Sequence, residues 1–279
     1  MDIPFHRLFR TKYCLDSVIE LAEDGNDIDN RLKKELGVYI EKPYFLTDSC
    51  TRALEIAVFC AGLEPGGEVI LPSYAYVSCA EVFAKQGVEI KFCDSQLMHP
   101  NADIDSIVSL INNKTKAILF VNYGGLQPAF LSLKELCDKK NILLIEDNAH
   151  GFGLTNVSPI GHLTCYSFHS TKNIHCYAGG LIQINEEKYL PSVTNYYHKG
   201  TNKSQFDRGE IGYYEWTGRG NSCEMPALSR AFLRKQLSLV DQINTERMCI
   251  WRNYLNAFSG KSWNFISDHI NDKRHNAHI

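Results

Sequence analysis

Four short stretches carry side chains that could do chemistry together. In ILLIEDNAH, Asp147 closes an apolar run that reads as a buried strand. A carboxylate there needs a cationic or N–H partner, because burying it alone is costly. A helix cap or a structural ion pair is its plainer role. In CYSFHSTKNIHCYAGG, Ser167 ends a strand and Lys172 follows in a loop before Gly179-Gly180. A semi-buried lysine has a lowered pKa and can serve as a Schiff-base nucleophile. A lone lysine is more often a solvated charge. In DSCTRALEIAV, Ser49, Cys50 and Thr51 precede a helix whose first N–H groups are free to hold an anion, although most such helices are merely capped. In LPSYAYVS, Tyr76 follows a strand and could stack on a planar ring, or simply pack in the core. Together, a Schiff-base lysine, an acid for a pyridinium nitrogen, a phosphate cup and a stacking aromatic are what a pyridoxal 5'-phosphate pocket requires.

Other chemistries are not supported. No G-x-G-x-x-G follows a strand, and there is no P-loop and no G-x-S-x-G elbow. The 10 cysteines contain no C-x-x-C pair and the 10 histidines no H-E-x-x-H, so no metal centre is expected. Several cysteines lie in apolar runs and read as buried free thiols of a reducing cytosol. His275 and His278 read as ordinary surface or strand positions. Lys plus Arg is 29 against 32 for Asp plus Glu, a formal charge of −3, which argues against nucleic acid or an anionic membrane as partner. No apolar run approaches the roughly 20 residues of a membrane-spanning helix, and MDIPFHRLFRTKY lacks the apolar core of a signal peptide, so a cytoplasmic location is expected.

The elements that must position these groups alternate. Strand patterns cover Pro43–Thr47, Glu68–Leu71, Val88–Phe92, Lys116–Val121, Ile142–Ile145, Leu163–Phe168 and Gly180–Ile184. Helical patterns cover Thr51–Leu63, Ser78–Gln86, Asp105–Ile111 and Leu131–Lys140. This β-α-β-α order predicts a three-layer α/β domain with a mostly parallel sheet. Ligands of such sheets collect at the carboxyl ends of strands, where all four stretches fall. From Met225 to Phe258 a mostly helical stretch is expected to leave the large domain, and Trp263–Ile266 reads as a short strand. The 279 residues suggest about two domains.

The segments FLTDSCTRALEIA, LEPGGEVILPSYAYVS, LLIEDNAHG, IGHLTCYSFHSTKN and AGGLIQIN occur in an order that resembles the DegT/DnrJ/EryC1/StrS family of sugar aminotransferases. KGTNKSQFDRGEIGYYEWTGRG is similar to a segment of the dTDP-4-amino-4,6-dideoxygalactose transaminases, which make a 4-amino sugar for surface polysaccharides such as lipopolysaccharide O-antigen. The resemblance implies a type I aminotransferase fold with a large pyridoxal-phosphate domain over 1–235. A linking helix and an incomplete small C-terminal domain would occupy 236–279, with RHNAHI opening a strand of it.

By the same resemblance Lys172 would hold the cofactor and shuttle a proton, and Asp147 would keep the pyridine nitrogen protonated. His150 would lie beside the ring and Tyr76 would stack on it. Cys50, Thr51, Arg52 and Ser167 would bind phosphate. Asn221 or Ser222, in GNSCEMPAL, would complete the phosphate site from a partner subunit, making a homodimer with shared sites. L-Glutamate would donate the amino group to a nucleotide-linked 4-keto-6-deoxy sugar. A different keto sugar, or a truncated cofactor-binding protein without catalysis, are the alternatives. Departures from the family pattern are the short GFGLTNVSPI loop, Ala178 in place of a usual Glu, and EDGNDIDN in place of a Gly-Gly segment.

Overall fold

A seven-stranded sheet carries the molecule, and its alternation decides which side chains meet. The computed structural model describes residues 18, 19, 23, 25–97, 99–127, 130–155, 158–261 and 275–278. The strands are β1 (Tyr44–Thr47), β2 (Glu68–Pro72), β3 (Glu89–Cys93), β4 (Thr115–Val121), β5 (Leu143–Asp147), β6 (Leu163–Ser167) and β7 (Gly180–Ile184). Their order is β1-β7-β6-β5-β4-β2-β3. Strands β3, β2, β4, β5 and β6 pair in parallel, while β7 lies antiparallel between β6 and β1. The expected mostly parallel α/β sheet is therefore present, and every strand pattern falls on a strand within a residue or two. Trp263–Ile266 lies outside the described residues.

Both faces of the sheet are covered, which is why its central strands read as continuous apolar runs rather than alternating ones. Along β4, Ala117, Leu119 and Val121 enter one core and Ile118 and Phe120 the opposite one. On the first face lie α2 (Cys50–Cys60) and α3 (Ser78–Ala84), burying Leu54, Ala57, Val58, Val82 and Phe83. On the second lie α4 (Ile104–Leu110) and α5 (Leu131–Lys140), burying Ile107, Leu133 and Cys137. Lys134 of α5 ties this face to the sheet's rim: its Nζ lies 2.8 Å from Asp138 and 2.6 Å from Glu186, and His162 Nε2 reaches Asp138 at 2.7 Å.

The same period of two splits the neighbouring acids of β5. Leu143 and Ile145 belong to the first core and Leu144 to the second. Asp147 therefore shares the α2–α3 face, and Glu146 the other. Glu146 is fully satisfied there: it accepts from Asn122 Nδ2 at 2.7 Å, from the N–H groups of Ile160 and Gly161 at 2.8 and 3.0 Å, and from Thr164 at 3.3 Å.

Helices outside the sequence expectation are α1 (Gly25–Leu36), α6 (Leu190–Tyr197) and α7 (Lys203–Asp207). The stretch from Met225 divides at Ser238–Leu239 into α8 (Ala227–Leu237) and α9 (Val240–Phe258). It does not leave the domain at once. Met225, Leu233, Leu237, Val240 and Ile243 pack with Tyr166 and Phe168 in a third core shared with Leu32 and Leu36 of α1. Residues 275–278 form no strand but an irregular segment. No described helix is long and apolar enough to cross a membrane.

One glycine fixes a close backbone approach at the head of α2. A Cβ on Gly180, at the head of β7, would stand 2.5 Å from Cys50 N and 2.6 Å from Ser49 O. Both are backbone atoms that cannot swing away. Gly180→Ala is expected to cost about 3 kcal/mol, the upper end for overpacking, measured by urea unfolding. Gly212→Ala, where an added Cβ meets nothing within 4 Å, should change stability by less than about 0.5 kcal/mol.

Candidate active site

The first piece of the site is the junction of β1 and α2. Thr47 Oγ1 donates to Ser49 O at 2.8 Å, shaping the turn. Ser49 then caps α2, its Oγ accepting from Arg52 N–H at 3.2 Å. Among the described residues the N–H groups of Cys50 and Thr51 have no protein partner, and they lie at the positive end of the helix. Gly180 backs this junction, and in the β6–β7 register it pairs with Ser167. The Ser167 hydroxyl, buried, accepts from His169 N–H at 3.3 Å and keeps its own proton to donate. Gly180 thus brings Ser167 and the head of α2 to one junction. Arg52 does not join them. Its N–H is consumed by the cap, and its guanidinium pairs with Glu55 and lies 3.7 Å from Asp48.

The second piece lies deeper. Asp147 is buried, with Oδ1 accepting from Ala149 N–H at 3.0 Å and Oδ2 from Cys79 Sγ at 3.0 Å. Burial pushes its carboxyl above the usual range, against the Cys79 and Ala149 hydrogen bonds and the Lys172 charge. Lys172 comes from the loop joining β6 to β7, which is held shut by Phe168 N–H to Gly179 O at 2.9 Å and Cys176 N–H to Phe168 O at 2.9 Å. Burial pulls its ammonium below the ordinary lysine range, against the attraction of Asp147, Cys50 and Cys79. Both partners are pushed toward neutrality by the same dry surroundings. An amine with a lowered pKa is a nucleophile.

His150 is the third piece. Its Nδ1 accepts from Gly124 N–H at 3.0 Å, which leaves the ring proton on Nε2. Burial, then the Lys172 charge, lowers its pKa to about 3, so it is a neutral donor. Tyr123 meets it edge-on with centroids 5.4 Å apart. Tyr76 is placed otherwise. It is 73% exposed, in the turn entering α3, with no ring against it among the described residues. Tyr74, two residues earlier, packs on Tyr123 at 4.5 Å. Asn221 and Ser222 lie just before Cys223, whose carbonyl accepts from Asp48 N–H at 2.9 Å, beside the α2 junction of their own chain.

Several residues of the neighbourhood had no sequence signal. Cys79 reads as one more buried thiol, and its contact to Asp147 spans 68 positions. The segment 275–278 is neither surface nor strand. His278 lies over His150 with centroids 4.2 Å apart, and its Nδ1 meets Asn173 Oδ1 at 2.9 Å. Asn276, buried, donates to the carbonyls of His150 and Phe152 at 2.8 and 3.1 Å. Asn173 Nδ2 in turn donates to Asn276 O at 3.0 Å, so the residue after Lys172 is tied to this segment.

A sequence profile of the DegT/DnrJ/EryC1/StrS aminotransferase family matches residues 19–279. The spore coat polysaccharide biosynthesis protein SpsC of Bacillus subtilis (strain 168) is 26% identical over 260 residues, covering 89% of this chain and 66% of that protein. The chain thus spans just under two thirds of that relative's length. Among solved structures, the PLP form of the putative sugar aminotransferase Spr1654 from Streptococcus pneumoniae superposes with a TM-score of 0.81 at 22% identity, over 93% of this chain and 72% of that one. Helicobacter pylori PseC, an aminotransferase involved in the biosynthesis of pseudoaminic acid, gives 0.83 at 20% identity, over 100% and 76%. At these identities the structural likeness establishes the fold.

The His150 shift has a sign that can be measured. Neutral when folded, the imidazole takes up a proton on unfolding at any pH between its ordinary 6.5 and about 3. Its contribution to stability is therefore whole above pH 6.5 and lost as pH falls toward 3. Urea midpoints at pH 7 and pH 5 should fall less in His150→Gln than in the wild type.

Proposed function

Because the chain belongs to the DegT/DnrJ/EryC1/StrS aminotransferase family, we propose that it is a pyridoxal 5'-phosphate-dependent transaminase. In this reading it moves an amino group from L-glutamate to a nucleotide-linked 4-keto-6-deoxy sugar, in the manner of a dTDP-4-amino-4,6-dideoxygalactose transaminase of surface polysaccharide synthesis. The observation that carries it is that half-buried Lys172 and buried Asp147 lie within reach of each other's charge, with Cys50, at the head of α2 where the Cys50 and Thr51 amides are unpartnered among the described residues, close to Lys172 as well.

The residues fit that cofactor. Bound there, it supplies an electron-withdrawing ring that carries the amino group between the two substrates. The Cys50 and Thr51 N–H groups and the Ser167 hydroxyl would hold the phosphate dianion at the helix end, an electrostatic term of about 0.3–1 kcal/mol for the helix dipole alone. Gly180 keeps that end clear of side chains. As a carboxylate, Asp147 would hold a proton on the ring nitrogen. The Lys172 amine would be the group that holds the cofactor and moves a proton at its Nζ. His150 Nε2–H would be a donor beside the ring. The 275–278 segment, resting on His150, keeps water off that side.

A homodimer belongs to the same reading. Trp216 and Tyr213 are 79% and 71% exposed, close in sequence to Tyr214 and Phe206, whose rings pack at 5.6 Å. Exposed aromatics grouped in this way fit a covered interface, with Asn221 and Ser222 a few residues further along the chain.

Pyridoxal 5'-phosphate added to the purified chain should produce a visible absorbance band, with reductive trapping placing the adduct on Lys172 by mass spectrometry. Lys172→Ala should lose the band and at least about 1,000-fold of any turnover. With L-glutamate and dTDP-4-keto-6-deoxyglucose, mass detection should find an amino sugar. A band without product on any keto sugar would favour a cofactor-binding protein without catalysis, and a colourless protein sinks the reading. Light scattering should give the mass of two chains.

A further inference from the structure

Two consecutive residues at the start of α3 touch two different parts of the site. Ser78 Oγ lies 2.9 Å from Thr51 Oγ1, in the first turn of the phosphate-cup helix. Cys79, only 1% exposed, donates its S–H to Asp147 Oδ2 at 3.0 Å. The two Cα atoms are about 3.8 Å apart across one peptide. A single short link of two adjacent residues thus joins the head of α2 to Asp147, in addition to the sheet that carries both. We propose that Ser78 and Cys79 form a positioning brace that holds Asp147 in register with the phosphate cup, Cys79 orienting the carboxylate and Ser78 fixing Thr51.

The geometry leaves the carboxylate little other guidance. Ala149 N–H is on Oδ1, and Cys79 is the one side-chain donor on Asp147 among the described residues. A carboxylate turns about its last bond unless both oxygens are held. With one donor on each, its plane is set, and Oδ2 keeps lone-pair capacity for a ring N–H. The choice of sulfur also matters. A thiol donates more weakly than a hydroxyl. It therefore orients Asp147 while adding less to the stability of the ionised form than serine would. Burial and the adjacent carboxylate push the Cys79 thiol well above its ordinary pKa, so it stays a donor throughout the working range. No charge or bond changes at sulfur, so the role is positioning and not catalysis.

The inference rests on the transaminase reading, and its test separates the two. The full chain, with Cys79→Ala, Cys79→Ser and Asp147→Asn, is titrated with pyridoxal 5'-phosphate by absorbance, and the pH midpoint of the bound band is recorded. Cys79→Ala should bind the cofactor about 10-fold more weakly and shift the midpoint. Cys79→Ser should restore most of the affinity, since a donor returns. Where activity is measured, kcat should fall in Cys79→Ala with the sugar KM little changed. In parallel, the infrared S–H stretching band lost in Cys79→Ala should move in Asp147→Asn, a readout that needs no cofactor. Wild-type affinity and midpoint in Cys79→Ala, or an S–H band indifferent to Asp147→Asn, overturns the brace and leaves the transaminase reading intact. A wild-type chain that takes up no cofactor while the S–H band still responds to Asp147→Asn sinks the transaminase reading and leaves the Cys79–Asp147 contact standing.

Discussion

The site turns on one electrostatic constraint: a buried acid and a half-buried amine, each shifted by burial, lie within reach of each other's charge at the ends of neighbouring strands. Neither Asp147 nor Lys172 would remain charged in a dry interior without the other, and the net worth of such a pair to stability is small once desolvation is counted. What the pair does supply is two groups poised near neutrality. The burial that creates this poise comes from the sheet's two covered faces, and so the chemistry depends on the packing of residues such as Ile145 and Cys165, which never touch a substrate.

The rest of the architecture keeps that pair and the head of α2 in fixed relation. Strand β7 runs against its neighbours, and this antiparallel register places Gly180 beside Ser167 and against the head of α2. The β6–β7 connection runs over 168–179, and its backbone hydrogen bonds hold the Lys172 loop closed. Two orders of contact thus converge: local turns present Lys172, and long-range pairing brings the α2 end to meet it.

The parts legible in the sequence were those whose chemistry or period is local. Asp147 at a strand end, Lys172 before two glycines and Ser49 before a helix are each recognisable within about ten residues, and the apolar runs marked every strand. What escaped was of two kinds. Helices α6 and α7 are short, and the break at Ser238–Leu239 carries neither Gly nor Pro to announce it. Side chains whose role comes from a distant partner were equally silent. Cys79 looked like any core thiol, and Asn276 and His278 gained their contacts from residues more than a hundred positions away. Arg52 and Tyr76 show the reverse. Their positions fit a motif, while the Arg52 cap bond and ion pairs and the exposure of Tyr76 give them other surroundings.

The division of Glu146 and Asp147 between the two faces of the sheet bears on how such a scaffold can change over generations. Glu146 anchors the returning end of the segment after His150 through the amides of Ile160 and Gly161, while Asp147 looks the opposite way. Residues between those anchor points can be inserted or removed with the acid left undisturbed. Two adjacent carboxylates thereby divide their work, one anchoring a loop's return and the other serving the opposite face of the sheet.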